Sequence, residues 1–401
     1  MSKVLIIGFP GEGHVNPTLA IVEELIRKGE TVVYYCVEQY RDKIEKTGAS
    51  FRYYEDFTSQ MDVMKKIDEG PNPLEMIHRI INVTDKIVPT ILKEIKEENY
   101  DYVIYDNHFI VGKIIANILK LPKISSCTTF AFNHYMSFGS MPKLDEITKG
   151  SPMYQACLDT MQKWEKQYNI VCNSVFDIMN QPGDITIVFT SKPYQPRAEV
   201  FDDSFIFVGP SISPRKDVSH FPIEKLKTER VIFISLGTVF NQQPKFYEKC
   251  FEAFQDMEAT VVLAVGKKTD INQFKNIPSN FLVYNYLPQL EVLQHTDVFI
   301  THGGMNSSSE GLYFGVPLVV IPVAADQPLV AKRVEEVGAG IQLDRLQLTA
   351  TMLREATEQV LNNKEFSQNS HAIGKSLKEA GGYKKAVDEI FNYKNKILST
   401  R

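Results

Sequence analysis

Long apolar runs are missing from these 401 residues: none approaches the roughly 20 residues that crossing a bilayer requires. Stable membrane insertion is therefore not expected. Cysteine is scarce, with Cys36, Cys127, Cys157, Cys172 and Cys250 making an odd number, widely spaced and without C-x-x-C or a paired histidine spacing. Free buried thiols in a reducing compartment fit this pattern better than disulfides or a structural zinc. Basic charge is not in excess either: 44 Lys and Arg face 49 Asp and Glu, a net charge of -5, which advertises no surface for nucleic acid or anionic lipid. The amino-terminal run MSKVLIIGFPGEGH breaks at Pro10 and Gly11, too early for a signal peptide, so a cytoplasmic location is expected.

What is present is the composition of a soluble globular protein, 43% hydrophobic and 23% charged, long enough for two domains. Short apolar runs alternate with helix-compatible stretches. KVLIIGF (3–9), TVVYYCV (31–37), YVIYD (102–106), ISSCTT (124–129), ITIVFT (185–190) and SFIFVG (204–209) read as strands of one parallel sheet, with a helix from about Thr18 to Arg27 after the first. A proline-bearing stretch without apolar period, 210–228, reads as a linker. Beyond it VIFISLG (231–237), ATVVLAVG (259–266), FLVYN (281–285), VFIT (298–301) and LVVI (318–321) repeat the architecture without repeating the sequence. The expectation is α/β: a first doubly wound domain over 1–209, a second over 229–380, and polar helices at 381–401. Ligands of such sheets bind beyond the carboxyl ends of the strands, so a cleft between two facing domains is the expected site. Met61, Met64 and Met76, scattered along a helix-compatible stretch, suit either an adaptable apolar pocket or a helix core.

The densest chemistry lies in YLPQLEVLQHTDVFITHGGMNSSSEGLYFGVPLVVIPVAADQ, residues 286–327. A strand ends at Thr301, a turn His302-Gly303-Gly304 follows, and a helix opens at Asn306. Unpaired backbone N–H groups and the positive dipole end attract anions at such a place, and the glycines allow close approach. His302, Asn306 and Ser307 add donors suited to a phosphate, and Glu310, one turn on, suits the two hydroxyls of a ribose. The plainer alternative is that Asn306 and Ser307 only cap a helix.

In the first half, His14 lies just after the first strand, where the helix dipole favours the neutral imidazole of a general base. Asp106 ends the YVIYD strand and can meet it, because strand ends of a parallel sheet open on one edge; a carboxylate there would fix the ring's tautomer. A capping histidine and an ordinary loop aspartate are the alternatives. His108 is near this pair without a role. His134 has aromatic neighbours that would suit it to face an acceptor, with core packing as the plainer and preferred reading. No D-x-D occurs, so no obvious carboxylate pair holds a metal on a diphosphate, and none is expected. The first turn, G-F-P-G-E-G-H, is not G-x-G-x-x-G, which disfavours a dinucleotide dehydrogenase.

His302-Gly303-Gly304-Met305-Asn306-Ser307, with Glu310, Pro317 and Asp326-Gln327, closely resembles the nucleotide-sugar motif of the family 1 UDP-dependent glycosyltransferases, and the Bacillus macrolide and flavonoid group in particular. The resemblance implies the GT-B fold, two Rossmann-like domains facing a cleft, with the carboxy-terminal helix crossing back to the first. It implies Tyr286 stacked on uracil, where plant members usually carry Trp, and Gln289 near the base edge. His302, Asn306 and Ser307 would hold the diphosphate, with Ser235, Gly237 and Thr238 as added donors. Glu310 would hold the ribose, Asp326 and Gln327 the sugar hydroxyls, and Thr129 would reach the donor sugar. His14 would take the proton of the acceptor hydroxyl, supported by Asp106. The implied activity is metal-independent, inverting transfer of a hexose, expected to be glucose, from a UDP-sugar to a small apolar acceptor such as a flavonoid or macrolide. No cofactor is expected. The alternatives are transfer to a lipid-linked acceptor at a membrane surface and a non-catalytic nucleotide-sugar-binding protein.

Overall fold

The structure, a computed structural model, describes residues 2–58, 73–133, 146–172, 174–213, 221–227, 230–238 and 241–398. Met61, Met64 and His134 lie outside them. The chain forms two compact units, Met1–Ile212 together with Ala380–Arg401, and Ser213–Glu379.

The first unit holds a seven-stranded parallel sheet. Its strands are β1 (Lys3–Ile7), β2 (Thr31–Cys36), β3 (Ser50–Tyr53), β4 (Tyr102–Asp106), β5 (Lys123–Cys127), β6 (Ile185–Val188) and β7 (Phe205–Phe207), in the spatial order β3-β2-β1-β4-β5-β6-β7. The apolar runs are continuous because both faces are covered: every residue of β4 is buried, and Val4, Leu5 and Ile7 of β1 have no exposed surface. β3 was not expected. Its sequence SFRY buries only Phe51, so an edge strand with one anchoring residue carries too little apolar pattern to be read.

The second unit repeats the plan with β8 (Val231–Ser235), β9 (Thr260–Ala264), β10 (Phe281–Tyr284), β11 (Val298–Thr301), β12 (Leu318–Val320) and β13 (Gly340–Gln342), ordered β10-β9-β8-β11-β12-β13. The short β13 was also not anticipated. In both sheets the first strand lies between the second and the fourth, so the winding reverses beside it: between β1 and β4 in one, between β8 and β11 in the other. This is where an open parallel sheet leaves a crevice.

Two expectations need correction. The first helix runs from Glu12 to Arg27, six residues earlier than expected at its start, and contains Pro17. Proline costs a helix one hydrogen bond, but the buried face of Val15, Thr18, Ala20, Ile21, Val22 and Leu25 holds the helix on the sheet regardless. His14 therefore sits inside the first helical turn. The carboxy-terminal helix, Gly382–Leu398, is not polar all round: Ala386, Val387 and Ile390 are buried in the core of the first unit. Met76 is partly buried against the same core.

The carboxy-terminal helix is also tied down by charge. Lys394 Nζ donates to Glu30 Oε1 at 2.8 Å, with the two side chains 11% and 2% exposed. Lys28 reaches Asp388 at 2.6 Å, and the Tyr393 hydroxyl donates to Asp184 at 2.6 Å. Lys394→Met strands a buried carboxylate, so it should destabilise the first unit by about 3 kcal/mol. The only tryptophan, Trp164, is buried in that unit, so its fluorescence in a urea titration isolates the transition. Adding Glu30→Gln should recover part of the loss, whereas an unchanged midpoint for Lys394→Met would show that the pair does not hold the helix.

Candidate active site

At the crevice of the first unit, Ile7 of β1 stands in register with Tyr105 of β4, which brings Asp106 level with the turn leading to His14. His14 Nδ1 lies 2.8 Å from Asp106 Oδ2, and the two side chains are 22% and 3% exposed. Burial pushes the Asp106 carboxyl up, but the facing charges and hydrogen bonds of His14 and His108 outweigh it, and the group ends well below the usual carboxylate range. Asp106 is thus a carboxylate at neutral pH and accepts the Nδ1–H of His14. That bond sets the tautomer. Its second oxygen, Oδ1, accepts the His108 backbone N–H at 2.9 Å. The Thr128 hydroxyl lies 3.1 Å from His14 Nδ1.

An aromatic group beside the imidazole was not foreseen. Phe9 lies 4.7 Å from the His14 ring and in edge contact with Phe57 and Phe109, which stack at 5.6 Å. Phe109 and Phe57 are buried, while Phe9 is partly exposed. These three come from separate segments, so no local pattern marks them. Thr129 follows β5, its hydroxyl donating to the Phe130 carbonyl at 3.0 Å.

In the second unit, Thr301 of β11 pairs with Ser235 of β8, and the turns beyond them converge. His302 is buried there, its ring held between two glycines: a Cβ on Gly237 would lie 2.6 Å from its Cε1, and one on Gly304 would lie 2.5 Å from its Nε2. Gly237 also has φ +71°, which disfavours any side chain. Burial lowers the His302 pKa to about 4, and a hydrogen bond to the Ser235 backbone only partly opposes this, so the ring is neutral at pH 7. Asn241, which sequence reasoning passed over, fixes the β8 turn through Nδ2 to the Gly237 carbonyl at 2.7 Å.

The helix Met305–Tyr313 starts at Gly304, so Asn306 and Ser307 occupy its first turn, both partly exposed. Glu310 is buried and accepts from Gln289 Nε2 at 2.6 Å, which joins two residues 21 positions apart. Tyr286 is 43% exposed, with Lys267 Nζ 5.1 Å from its ring centre. Ser235 is buried and its hydroxyl accepts the Gly237 N–H at 3.4 Å, while Thr238 is exposed. Asp326 precedes the helix Gln327–Glu336 and follows Ala325, a non-glycine residue at φ +58°. The Gln327 side-chain oxygen accepts the N–H groups of Val323 and Ala324 at 2.7 and 3.0 Å, so that end of the amide braces its own loop.

Residues 208–378 match the family model described as UDP-glucoronosyl and UDP-glucosyl transferase. The UDP-glucosyltransferase YojK of Bacillus subtilis is 43% identical over 392 residues, 97% of each chain. The chain belongs to the family 1 UDP-dependent glycosyltransferases. The NDP-glycosyltransferase YjiC of Bacillus subtilis is 35% identical over 389 residues, 96% of each chain. Among solved structures, the glycosyltransferase of kitacinnamycin superposes with a TM-score of 0.85 at 26% identity, covering 97% of this chain and 98% of that one. The transferase therefore has the GT-B fold, with two Rossmann-like domains, and is a UDP-glycosyltransferase enzyme. Among its described residues no helix is long and apolar enough to cross a membrane.

The transferase's neutral, buried His302 has a consequence for stability. Its folded pKa of about 4 lies below the ordinary value of 6.5, so the unfolded chain takes up the proton first as pH falls. The stability associated with His302 is therefore complete above pH 6.5 and lost as pH drops toward 4. Between pH 7 and pH 5 the transferase should lose roughly 2 kcal/mol more than a His302→Gln variant, read by urea unfolding at each pH. Parallel stability curves for the two proteins would place a protonated ring in the folded state.

Proposed function

We propose that the transferase moves a hexose, glucose in the first instance, from a UDP-sugar to a hydroxyl of a small, largely apolar acceptor, with inversion and without a metal. The observation that carries the reading is the His14–Asp106 pair: a carboxylate 2.8 Å from Nδ1 holds the ring ready to take a proton at Nε2 and steadies the imidazolium that forms. The acceptor oxygen, losing its proton to His14, attacks the anomeric carbon from the side opposite UDP. An α-linked donor then gives a β-glycoside.

The donor falls to the second unit. Its leaving diphosphate meets the amino end of the helix Met305–Tyr313, with Asn306, Ser307 and the backbone at Gly304 as donors, supported by Ser235, Gly237 and Thr238. A neutral His302 can donate to an anion without carrying a charge of its own. Glu310, steadied by Gln289, takes the ribose hydroxyls, Tyr286 offers an exposed ring for the base, and Asp326, Gln327 and Thr129 address the sugar. Phe9, Phe57 and Phe109 beside the base favour an apolar acceptor, of flavonoid or macrolide kind.

His14→Ala should slow transfer to an aliphatic alcohol by about 10² to 10⁴ while leaving UDP affinity nearly unchanged, measured as UDP release and by calorimetry. A thiol or acidic phenol, already partly ionised, should be slowed less. One common factor for every acceptor would reassign His14 to holding substrate. In calorimetry with chelator present throughout, UDP should still bind, and Glu310→Ala should weaken it by roughly 1.5 to 3 kcal/mol, about tenfold or more. A nucleotide lacking both ribose hydroxyls should bind the two proteins alike; if it loses as much as UDP, Glu310 does not read the ribose.

A further inference from the structure

His108 has no task in this reaction, yet it is placed with care. The residue is 4% exposed, its backbone holds Asp106 Oδ1, and its ring Nδ1 lies 3.6 Å from the same oxygen without making a hydrogen bond. At the other side of the ring, Nε2 lies 3.4 Å from the Thr129 hydroxyl, whose proton is committed to the Phe130 carbonyl at 3.0 Å. In the tautomer that donates from Nε2 to this hydroxyl oxygen, Nδ1 presents a lone pair, whereas in the other a proton lies between Nδ1 and Asp106. That lone pair faces a carboxylate oxygen in a buried place. Either a proton or a metal ion can lie between two such atoms.

Across the same carboxylate stands His14, Nδ1 2.8 Å from Oδ2. One ligand atom from each of His14, Asp106 and His108 lies within 4.8 Å of the others, the one such group among the described residues. We propose that these three residues form a binding site for a divalent transition-metal ion of the zinc type, and that the bound ion switches transfer off.

The geometry suits the ion. Tetrahedral zinc with bonds of about 2.0 to 2.1 Å sets its ligand atoms about 3.3 Å apart. His14 Nδ1 lies 2.8 Å from one Asp106 oxygen and His108 Nδ1 3.6 Å from the other, and one ligand atom from each residue lies within 4.8 Å of the others, so closing the set to zinc distances takes side-chain shifts of about an ångström. Two imidazoles and one carboxylate select zinc, cobalt or nickel over magnesium and calcium, which take mostly oxygen ligands. The inhibition follows from proton balance. A metal on His14 Nδ1 displaces the proton held there, and the ring, remaining neutral, carries it on Nε2 instead. The nitrogen that would take the acceptor's proton is then occupied. This consequence rests on His14 being the base, but the binding does not.

The test uses the full chain, freed of metal with chelator and then dialysed. Calorimetry with Zn²⁺ should show one site, Co²⁺ should give the intense visible bands of a tetrahedral complex, and Zn²⁺ should slow UDP release tenfold or more in a manner that EDTA reverses and Mg²⁺ does not reproduce. His108→Gln should weaken Zn²⁺ binding by about 100-fold or more, since losing a ligand exceeds the 10- to 100-fold cost of losing an outer partner. His14→Ala removes a second ligand and should do the same, and Trp164 fluorescence in a urea titration of each variant confirms that the first unit is folded. Zn²⁺ affinity unchanged in both variants overturns the site, with the proton on His108 as its rightful occupant. Zn²⁺ binding that both variants lose, but that leaves transfer unslowed in the parent protein, overturns the switch and tells against His14 as the base while the site stands.

Discussion

The reversal of winding in a parallel sheet is the constraint on which the chemistry of this protein depends. Two strands adjacent in space but remote in sequence end side by side, and their following turns must diverge to opposite faces, so the ground between them stays open. In the first unit that ground holds His14 and Asp106, 92 positions apart in the chain and 2.8 Å apart in space. In the second it holds His302 against the Gly237 turn. One architecture, used twice, thus presents two different histidines at its crevices.

Their surroundings give the two rings different characters. His14 faces a buried carboxylate and stays partly open to solvent, which suits a group that gains and loses a proton. His302 lies between two glycines, where burial keeps it neutral. A neutral ring can donate to a phosphate oxygen and does not titrate in the range in which the base works. The division between a proton-transfer site and an anion site therefore follows from what packs around each imidazole.

The first unit is not contiguous in sequence, and this has an energetic cost and a remedy. Bringing residues 380–401 back to a core made of the first 212 residues closes a loop over the whole second unit, with the entropy loss such closure carries. Burial of Ala386, Val387 and Ile390, with Lys394 meeting Glu30, supplies contacts that offset it. The helix Gly382–Leu398 packs against the helix that carries His14, so the same contacts steady the position of the base.

Much was legible in the residues themselves. Alternating apolar runs and helical stretches establish two α/β domains, and the H-G-G-M-N-S run with Glu310 marks an anion site at a helix start, because backbone geometry and the dipole act over a single turn. The edge strands Ser50–Tyr53 and Gly340–Gln342 and the early start of the helix at Glu12 were not legible, since packing on one face outweighed weak local pattern and a proline. The partnership of Gln289 with Glu310, the use of Gln327 to brace its own loop, the aromatic group around His14 and the unpartnered nitrogen of His108 came only with the tertiary structure. Sequence alone determines what is set within a turn of helix or the alternation of a strand. Contacts between segments tens of residues apart depend on sheet register and on which turns converge, and no local spacing encodes those.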